Sequence, residues 1–461
     1  REKPAWGIGN APRAEGPSGG HAPDNGSGET ARADLLAIKG HIHRRLLERL
    51  NLSNLDRLDR DAVMDTIRGL VRELLAAEAI PLNLEERDEL IRQVLDEIFG
   101  LGPLQPLMDD PTIADILVNT SQKIFVERNG LLERTDVRFH DDQHLLQVID
   151  RIVSSMGRRI DDRSPMVDAR LPDGSRVNAI IPPLAIDGPH LSIRKFAEDG
   201  LSAQDLVRTG SLSEPMLRFL EGVVRARLNV LISGGTGAGK TTLLNVLSGF
   251  IPEIERIVTV EDSAELRLRQ PHVVRLETRP ENVEGTGAVP QRLLVINALR
   301  MRPDRIIVGE VRSAEAVDML QAMNTGHDGS LTTLHANTPR DALNRLETMV
   351  AMADLNLPDK AVRAQIASAI DIVVQVSRLS DGSRRVKQIA ELVGTEGDVI
   401  TMQDIFKYEQ TGVDEDGRVI GRARATGIRP RCMDRLEVHG FTMGADAFAD
   451  VPTRKPSART A

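Results

Sequence analysis

One stretch of the chain combines glycines, a lysine and a hydroxyl residue at a spacing that suits phosphate binding. The segment GGTGAGKT, residues 234–241, satisfies the pattern G-x-x-x-x-G-K-[ST]. Glycines allow the backbone to wrap around a phosphate with its N–H groups pointing inward. A helix that starts at this point adds the positive end of its dipole. The sequence therefore predicts a phosphate-binding loop.

The residues on both sides of this loop support the prediction. The apolar run 228–233 predicts a strand that enters the loop, and 242–247 predict a helix that leaves it. We expect Lys240 to contact the β- and γ-phosphates of ATP, and Thr241 to hold Mg²⁺ through its hydroxyl. An accidental glycine-rich turn is disfavoured by this context. The residues expected to bind ATP are Gly234, Gly235, Thr236, Gly237, Ala238, Gly239, Lys240, Thr241 and Thr242.

A carboxylate at the end of another predicted strand could activate water. The run 305–308 is apolar after its first residue, and Gly309 and Glu310 follow it. Ligands of open α/β sheets bind at the carboxyl ends of strands, so Glu310 could polarise the water that attacks a phosphate. A generic phosphate-loop enzyme has Asp where Gly309 stands, so we expect any contact of Glu310 with Mg²⁺ to run through water. The alternative is a solvated acid at a strand end.

Two further groups follow predicted strands. Glu261 and Asp262 come after the strand 257–260, and Glu261 could order water bound to Mg²⁺. An equally good reading makes this pair the N-cap of a helix over the following SAELRL. His335 ends the strand of GSLTTLHAN and could sense the γ-phosphate through a hydrogen bond. A lone histidine is more often simply packed and satisfied.

The elements that position these groups predict an α/β protein with several domains. Its 461 residues exceed one compact core. We expect a disordered tail over 1–33, a helical region over 34–100, an α+β domain over 101–200, a linker over 201–215, a doubly wound, predominantly parallel ATPase domain over 216–410 and an irregular segment over 411–461. The helical region could be a packing module or a docking site for a partner. Residues 99–119 are interpreted as a turn-rich join.

Composition narrows the class of function. The formal net charge is −9 and aromatic residues make up 2%, which argues against a protein that coats nucleic acid or stacks bases. One cysteine, Cys432, excludes an internal disulfide framework and a cysteine-rich zinc site. No run of about 18 apolar residues and no signal peptide is evident, so we expect a cytoplasmic protein.

Four segments, in this order and spacing, resemble the secretion ATPase family of type II secretion, type IV pilus and type IV secretion motors. They are GGTGAGKTT, VTVEDSAEL, RIIVGEVR and GSLTTLHAN, which correspond to the phosphate loop, aspartate box, Walker B and histidine box of that family. The longer strings LRMRPDRIIVGEVR and MNTGHDGSLTTLHAN are most similar to the Tad/Flp pilus assembly ATPases. The resemblance covers about residues 85–410.

This resemblance implies a RecA-like carboxyl-terminal domain and a PAS-like amino-terminal domain that supplies arginines to the phosphates. Arg176 and Arg194 match those arginines; each could otherwise be an ordinary surface charge. Type II secretion and pilus extension ATPases usually carry a tetracysteine zinc motif, which a chain with one cysteine cannot form. That departure favours the Tad or the type IV secretion branch.

The resemblance also implies a homo-hexameric ATP-hydrolysing motor at the cytoplasmic face of the bacterial inner membrane. Its expected partners are the integral platform proteins of a Tad/Flp pilus, with no direct contact to nucleic acid. The first alternative is a type IV secretion traffic ATPase that exports protein or DNA. A nucleic-acid translocase on the same core, and a nucleotide-gated scaffold without turnover, are the remaining alternatives.

Overall fold

The computed structural model describes Arg45 and residues 60–77, 82–196, 200–279, 281, 286–353, 355 and 357–449. The chain divides into two compact units, one ending at Gln105 and the other beginning at Pro106. The tail expected over 1–33 and most of the helical stretch expected over 34–59 lie outside the described residues. Among the described residues, the helices are too short or too polar to cross a membrane.

The first unit holds two amphipathic helices, Arg60–Ala77 (α1) and Leu84–Phe99 (α2). Asn83 caps α2 in a capping box, because its side chain accepts the N–H of Glu86 while the Glu86 carboxylate accepts the N–H of Asn83. The buried residues of the two helices pack on one another, which satisfies the apolar stripe of each helix. They are Ile67, Val71, Leu74 and Leu75 of α1 and Leu90, Ile91, Val94 and Leu95 of α2. The helices predicted in these two stretches are confirmed.

The second unit begins with a short helix, Gln105–Asp109 (α3), and an antiparallel sheet that we call the small sheet. Six described strands form it in the order β3-β2-β1-β6-β5-β4. Helix α4 (Asp142–Ser155) starts after the cap Asp141 and buries its apolar face. The strands are Ile113–Thr120 (β1), Lys123–Arg128 (β2), Leu131–Arg134 (β3), Met166–Arg170 (β4), Arg176–Ile180 (β5) and His190–Arg194 (β6).

Strand β1 corrects the interpretation of residues 99–119 as a turn-rich join. Glycines and prolines do occupy the first half of that stretch, but β1 follows them and pairs with both β2 and β6. The strand alternates Ile116 and Val118, which are buried, with partly exposed residues. A period of two over so few residues is a weak signal when turn residues adjoin it. The small sheet and α4 together are an α+β arrangement.

The large sheet has nine described strands in the order β15-β14-β13-β12-β7-β11-β10-β8-β9. Strands β12, β7, β11, β10, β8 and β9 run parallel, whereas β13, β14 and β15 are antiparallel. The sheet is thus mixed, which corrects the expected predominantly parallel sheet, because hairpins extend it at one edge. The strands are Val230–Gly234 (β7), Ile257–Glu261 (β8), Val273–Glu277 (β9), Arg305–Val308 (β10), Leu331–Leu334 (β11), Ile372–Arg378 (β12), Arg384–Glu396 (β13), Val399–Val413 (β14) and Val419–Ala425 (β15).

Helices cover both faces of the large sheet, as a doubly wound fold requires. Along β7, Val230 and Ile232 join one buried apolar cluster, and Leu231 joins the cluster on the opposite face. Alternate residues of β7 therefore contribute to apolar cores on opposite faces of the sheet. The helices are Ala203–Arg208 (α5), Glu214–Arg225 (α6), Lys240–Ser248 (α7), Gln291–Ala298 (α8), Glu315–Asn324 (α9), Pro339–Ala351 (α10), Asp359–Ala369 (α11) and Met433–Val438 (α12).

Two stretches expected to be irregular contain regular structure. The expected linker 201–215 contains α5, whose N-cap Ser202 accepts the N–H of Asp205, and the first residues of α6. The segment expected to be irregular from 411 contains the end of β14, then β15 and α12. Met433, Leu436 and Phe448 are buried in the core of the large sheet, so this segment completes that core. Residues 450–461 lie outside the described part.

Candidate functional site

Four parallel strands end side by side and bring the sequence-derived residues to one edge of the large sheet. Strand β7 leads into the glycine-rich loop, β8 ends at Glu261, β10 leads to Glu310 and β11 leads to His335. These strands are neighbours in the order β7-β11-β10-β8, so their carboxyl ends meet. This edge is where ligands bind in open α/β sheets.

The glycines of the loop 234–239 leave space for a bound anion. Gly237 and Gly239 have φ values of 68° and 94°, which suit a residue without a Cβ. A side chain at Gly234 would place its Cβ 2.5 Å from the carbonyl oxygen of Val376, whereas Gly235 borders open space. Helix α7 begins directly at Lys240, so its N-terminal N–H groups lie at the loop. These features fit a bound phosphate.

Lys240 is held inside this site, and no carboxylate in the described part of the chain accepts a hydrogen bond from it. The residue is 8% exposed, and its Nζ lies 3.3 Å from the carbonyl oxygen of Gly235 and 3.3 Å from Nε2 of His335. Burial lowers the pKa of Lys240 because it removes water from the ammonium group. A phosphate oxygen would supply the negative partner that this buried cation lacks.

A chain of polar contacts continues from Lys240 through His335 to Glu310. Nε2 of His335 lies 2.9 Å from Oε1 of Glu310. The other oxygen of Glu310 accepts a hydrogen bond of 2.8 Å from Nη2 of Arg312, whose Nη1 donates to Asp262 at 3.0 Å. Burial, followed by the positive charge of Lys240, holds the pKa of His335 below its ordinary value. The imidazole is therefore neutral around pH 7 and can accept or donate one hydrogen bond.

The carboxylate of Glu261 accepts hydrogen bonds from the backbone segment that follows β8. The residue is 2% exposed, and its Oε2 accepts the backbone N–H groups of Glu265 and Leu266 at 2.7 and 2.8 Å. Residues 263–268 do not form a helix, so the helix N-cap interpretation is wrong. The segment is instead a loop, which Glu261 ties to the end of β8. Burial raises the pKa of Glu261, and a direct Mg²⁺ contact would compete with both backbone donors.

Arg176 and Arg194 come from the small sheet and line the same cleft as the loop. Nη1 of Arg176 lies 3.1 Å from Glu265, and Nε of Arg194 donates to Asp115 at 3.0 Å. The two arginines sit directly opposite one another on β5 and β6. The structure thus places both arginines in the cleft that the phosphate loop also lines.

Other polar groups in the cleft were not predicted from the sequence. Arg312 follows Glu310 by two residues, and that spacing in VGEVR was the available signal. Arg378 and Arg384 flank the turn between β12 and β13, and Glu127 reaches them from the small sheet. These three residues are far apart in sequence, so no local motif unites them.

The described residues contain no group of three or more His, Cys, Asp or Glu side chains arranged to hold a metal ion. Thr241 and Glu310 both line the cleft beside the loop. Mg²⁺ commonly keeps several waters and takes few protein ligands together with substrate phosphates. A hydroxyl and a carboxylate at a phosphate site therefore fit Mg²⁺.

Comparison with known proteins assigns the class. The family model described as type II/IV secretion system protein matches residues 97–430, and the chain belongs to this family. A putative conjugal transfer protein of Mycobacterium tuberculosis is 41% identical over 315 residues, covering 67% of this chain and 89% of that protein. The conjugal transfer protein TrbB of Rhizobium radiobacter is 33% identical over 320 residues, covering 68% and 93%.

A solved structure is also similar. It is the VirB11 ATPase from the Brucella suis type IV secretion system in complex with sulphate. That structure is 29% identical in sequence, with a TM-score of 0.35, and the match covers 64% of this chain and 97% of the VirB11 chain.

Proposed function

We propose that this protein is an ATP-hydrolysing motor of a secretion-type machine. The observation that carries the proposal is the meeting of Lys240, Glu310 and His335 at the edge of the large sheet where the glycine-rich loop opens. A buried cation with a neighbouring carboxylate beside a glycine-rich loop has the parts that phosphoryl transfer to water requires. Family membership supports this reading.

Each side chain then has a defined task. The loop amides and Lys240 bind the β- and γ-phosphates of ATP, and the hydroxyl of Thr241 together with Glu310, through water, would hold Mg²⁺. When bound, Mg²⁺ would neutralise charge on the phosphate oxygens. Glu310 orients and polarises the attacking water. Arg312 donates a hydrogen bond of 2.8 Å to its Oε2, and Nε2 of His335 lies 2.9 Å from its Oε1. Glu261 acts indirectly, because it fixes the loop 262–266 beside the site.

The arginines of the small sheet would couple this chemistry to motion. A guanidinium binds a phosphoryl group with two parallel hydrogen bonds, so Arg176 and Arg194 favour a closed cleft when ATP is present. A ligand moves domains only when it binds one arrangement better than another. In a homo-hexamer, closing one subunit displaces its neighbours. We place this motor at the cytoplasmic face of an inner membrane, acting on the platform proteins of a Tad/Flp pilus.

A second candidate is a type IV secretion traffic ATPase. The relatives described as conjugal transfer proteins favour it. Deleting the gene in its host separates the two functions. Loss of surface pili with normal export supports the pilus motor, whereas loss of export or conjugation with normal pili supports the traffic ATPase.

The enzymatic part of the proposal is tested by phosphate release from purified protein with ATP and Mg²⁺. Lys240→Ala should abolish ATP binding or turnover, because the loop then lacks its cation. Lys360→Ala, at an exposed position of α11, is the matched control. Full activity in Lys240→Ala would remove the catalytic assignment. Electron microscopy with a non-hydrolysable ATP analogue would show whether rings of six form.

A further inference from the structure

The hairpin formed by β12 and β13 leaves the large sheet directly beside the phosphate loop. Strand β12 is a parallel neighbour of β7, with Val376 opposite Gly234. Two residues further on, Arg378 lies opposite Arg384 of β13 in the strand register. Both arginine side chains therefore leave the hairpin at the same position along the strands. The proposed mechanism assigns no task to either arginine.

Arg384 contacts the loop, and Arg378 lies beside it. Nε of Arg384 donates a hydrogen bond of 2.9 Å to the carbonyl oxygen of Gly237. Nη1 of Arg378 lies 3.6 Å from the point where a Cβ of Gly237 would stand, and Cδ of Arg384 lies 3.3 Å from that point at Gly239. Both side chains line the cleft together with Lys240 and Thr241.

A single carboxylate of the small sheet, that of Glu127, forms ion pairs with both arginines. Oε2 of Glu127 lies 3.3 Å from Nη1 of Arg378, and Oε1 lies 3.3 Å from Nη2 of Arg384. The Glu127 residue is 9% exposed, although the arginine side chains are 31% and 41% exposed. Both distances exceed the 2.7–2.9 Å typical of a strong charge-assisted hydrogen bond, so the carboxylate holds the pair loosely.

The backbone beside Glu127 reinforces the same contact. The β2–β3 turn at Gly130 approaches the β12–β13 turn at Gly382 so closely that a Cβ on Gly130 would lie 3.0 Å from the carbonyl oxygen of Gly382. Glycine in both turns permits this approach. The close approach of the two turns thereby keeps Glu127 of the small sheet beside Arg378 and Arg384 at the phosphate loop.

We propose that Arg378 and Arg384 are phosphate-contacting residues of this site, and that Glu127 is the same-chain anion that occupies them in the domain arrangement seen here. The proposal rests on the proposed function, because it concerns the same ATP site. Phosphate oxygens carry the charge and geometry that a guanidinium binds best, so ATP replaces Glu127 on the two arginines. The exchange frees the Glu127 carboxylate from the two arginines as the nucleotide enters.

The test measures binding of the non-hydrolysable analogue AMP-PNP with Mg²⁺ by isothermal titration calorimetry at fixed salt. Arg378→Gln and Arg384→Gln should each weaken binding about tenfold, the size expected for one lost charge-assisted hydrogen bond. Glu127→Gln should tighten binding about fivefold, because a competing negative charge is gone. In the Arg378→Gln/Arg384→Gln background, Glu127→Gln should no longer tighten binding.

The chain offers a control for each change. Arg385→Gln alters the next residue of β13, whose Nη1 donates to the carbonyl oxygen of Thr209 instead. Glu133→Gln alters an exposed carboxylate of β3 that binds Arg128. Neither should change the affinity for AMP-PNP. Circular dichroism and the thermal midpoint establish that every variant folds.

The outcomes separate this proposal from the proposed function. If Lys240→Ala abolishes binding while Arg378→Gln and Arg384→Gln match the wild type, the site stands and the arginine assignment is overturned. If Glu127→Gln binds AMP-PNP more weakly than the wild type, Glu127 positions the arginines and does not compete for them, which overturns its assigned role. If the folded wild type binds no AMP-PNP, the proposed function itself fails.

Discussion

At the scale of single residues, the site places an ammonium group and a carboxylate on either side of a neutral imidazole. Nζ of Lys240 lies 3.4 Å from Nδ1 of His335, and Nε2 of His335 lies 2.9 Å from Oε1 of Glu310. The histidine thus stands between the cation proposed to bind phosphate and the carboxylate proposed to polarise water.

Glu310→Gln tests whether the carboxylate polarises water. The amide keeps the shape and one acceptor oxygen but cannot take up a proton, so turnover should fall about a hundredfold or more. ATP binding should persist, because Lys240 and the loop are unchanged. Single-turnover phosphate release and calorimetric binding measure the two effects separately. Glu347→Gln, which removes a carboxylate that pairs with Arg363, is the control, and equal rates in both variants would transfer the role to another residue.

His335 makes folding depend on pH in a defined direction. Its folded pKa lies below the ordinary value of 6.5, chiefly because of burial, so the unfolded chain binds more protons between the two values. The free energy of unfolding therefore falls as the pH drops from 6.5 through the folded pKa. His335→Gln should lose this part of the pH dependence, as measured by urea midpoints at pH 7.5 and pH 5.5. His439→Gln, at an exposed position, is the control, and an unchanged pH slope in His335→Gln would contradict the assignment.

At the scale of elements, the strands that deliver Glu310 and His335 depend on a buried cation at their other end. Arg305, the first residue of β10, is 0% exposed and binds Glu255 through Nε at 2.6 Å. It also donates to the carbonyl oxygen of Gly329, just before β11, at 3.1 Å. The register of the two strands is thus supported far from the loop.

Gly329→Ala should damage this support. Gly329 has a φ of 81°, and an added Cβ would stand 2.1 Å from Nη1 of Arg305, whose side chain is fully buried. Strain and the disturbed ion pair should together lower the free energy of unfolding by about 3 kcal/mol. Gly326→Ala is a close control, because its φ is 96° but nothing lies within 4 Å, so about 1 kcal/mol of backbone strain is expected. Equal losses in urea denaturation would show that Arg305 adjusts freely.

The same elements show what the sequence could and could not predict. The loop, the strand before it and the helix after it were evident because a local motif and apolar periodicity coincide there. Strand β1 was missed because prolines and glycines precede it closely, and β15 was missed because a glycine and two arginines interrupt its apolar residues. The Glu127 contact with Arg378 and Arg384 could not be predicted from a local pattern, because these arginines lie 251 and 257 positions from Glu127 in the sequence.

At the scale of the whole second unit, charged contacts join the small sheet to the large sheet around the cleft. Arg170 pairs with Glu277 at 3.0 Å and Arg176 with Glu265 at 3.1 Å, and Glu127 reaches the β12–β13 hairpin. Half-exposed ion pairs of this kind are individually weak, about 0–1 kcal/mol each. An interface made of such pairs would open at low cost, which suits the domain motion proposed above.

Arg194→Gln should lower turnover about tenfold or more without unfolding the protein, because a guanidinium that stabilises transition-state charge is lost. Arg194 is partly exposed and pairs with Asp115 alone among the contacts in the described region, so little packing is lost with it. Steady-state phosphate release and the thermal midpoint distinguish the two effects. Arg134→Gln, at an exposed position of β3, is the control. A normal rate in Arg194→Gln would leave it as a surface charge.

The position of Arg194 also predicts whether it acts on ATP bound to its own chain or on ATP bound to a neighbouring chain. Arg194 and Lys240 line one cleft within a single chain, so we expect Arg194 to act on the nucleotide of its own chain. Arg194→Gln and Lys240→Ala subunits, co-expressed with different tags and purified as mixed assemblies, should therefore be no more active than either variant alone. An arginine acting on a neighbouring subunit would restore about a quarter of the wild-type rate, because random arrangement around a closed ring creates some complete sites. Such recovery would move Arg194 to the subunit interface, and mixed assemblies of wild type with Lys240→Ala calibrate the rate per intact site.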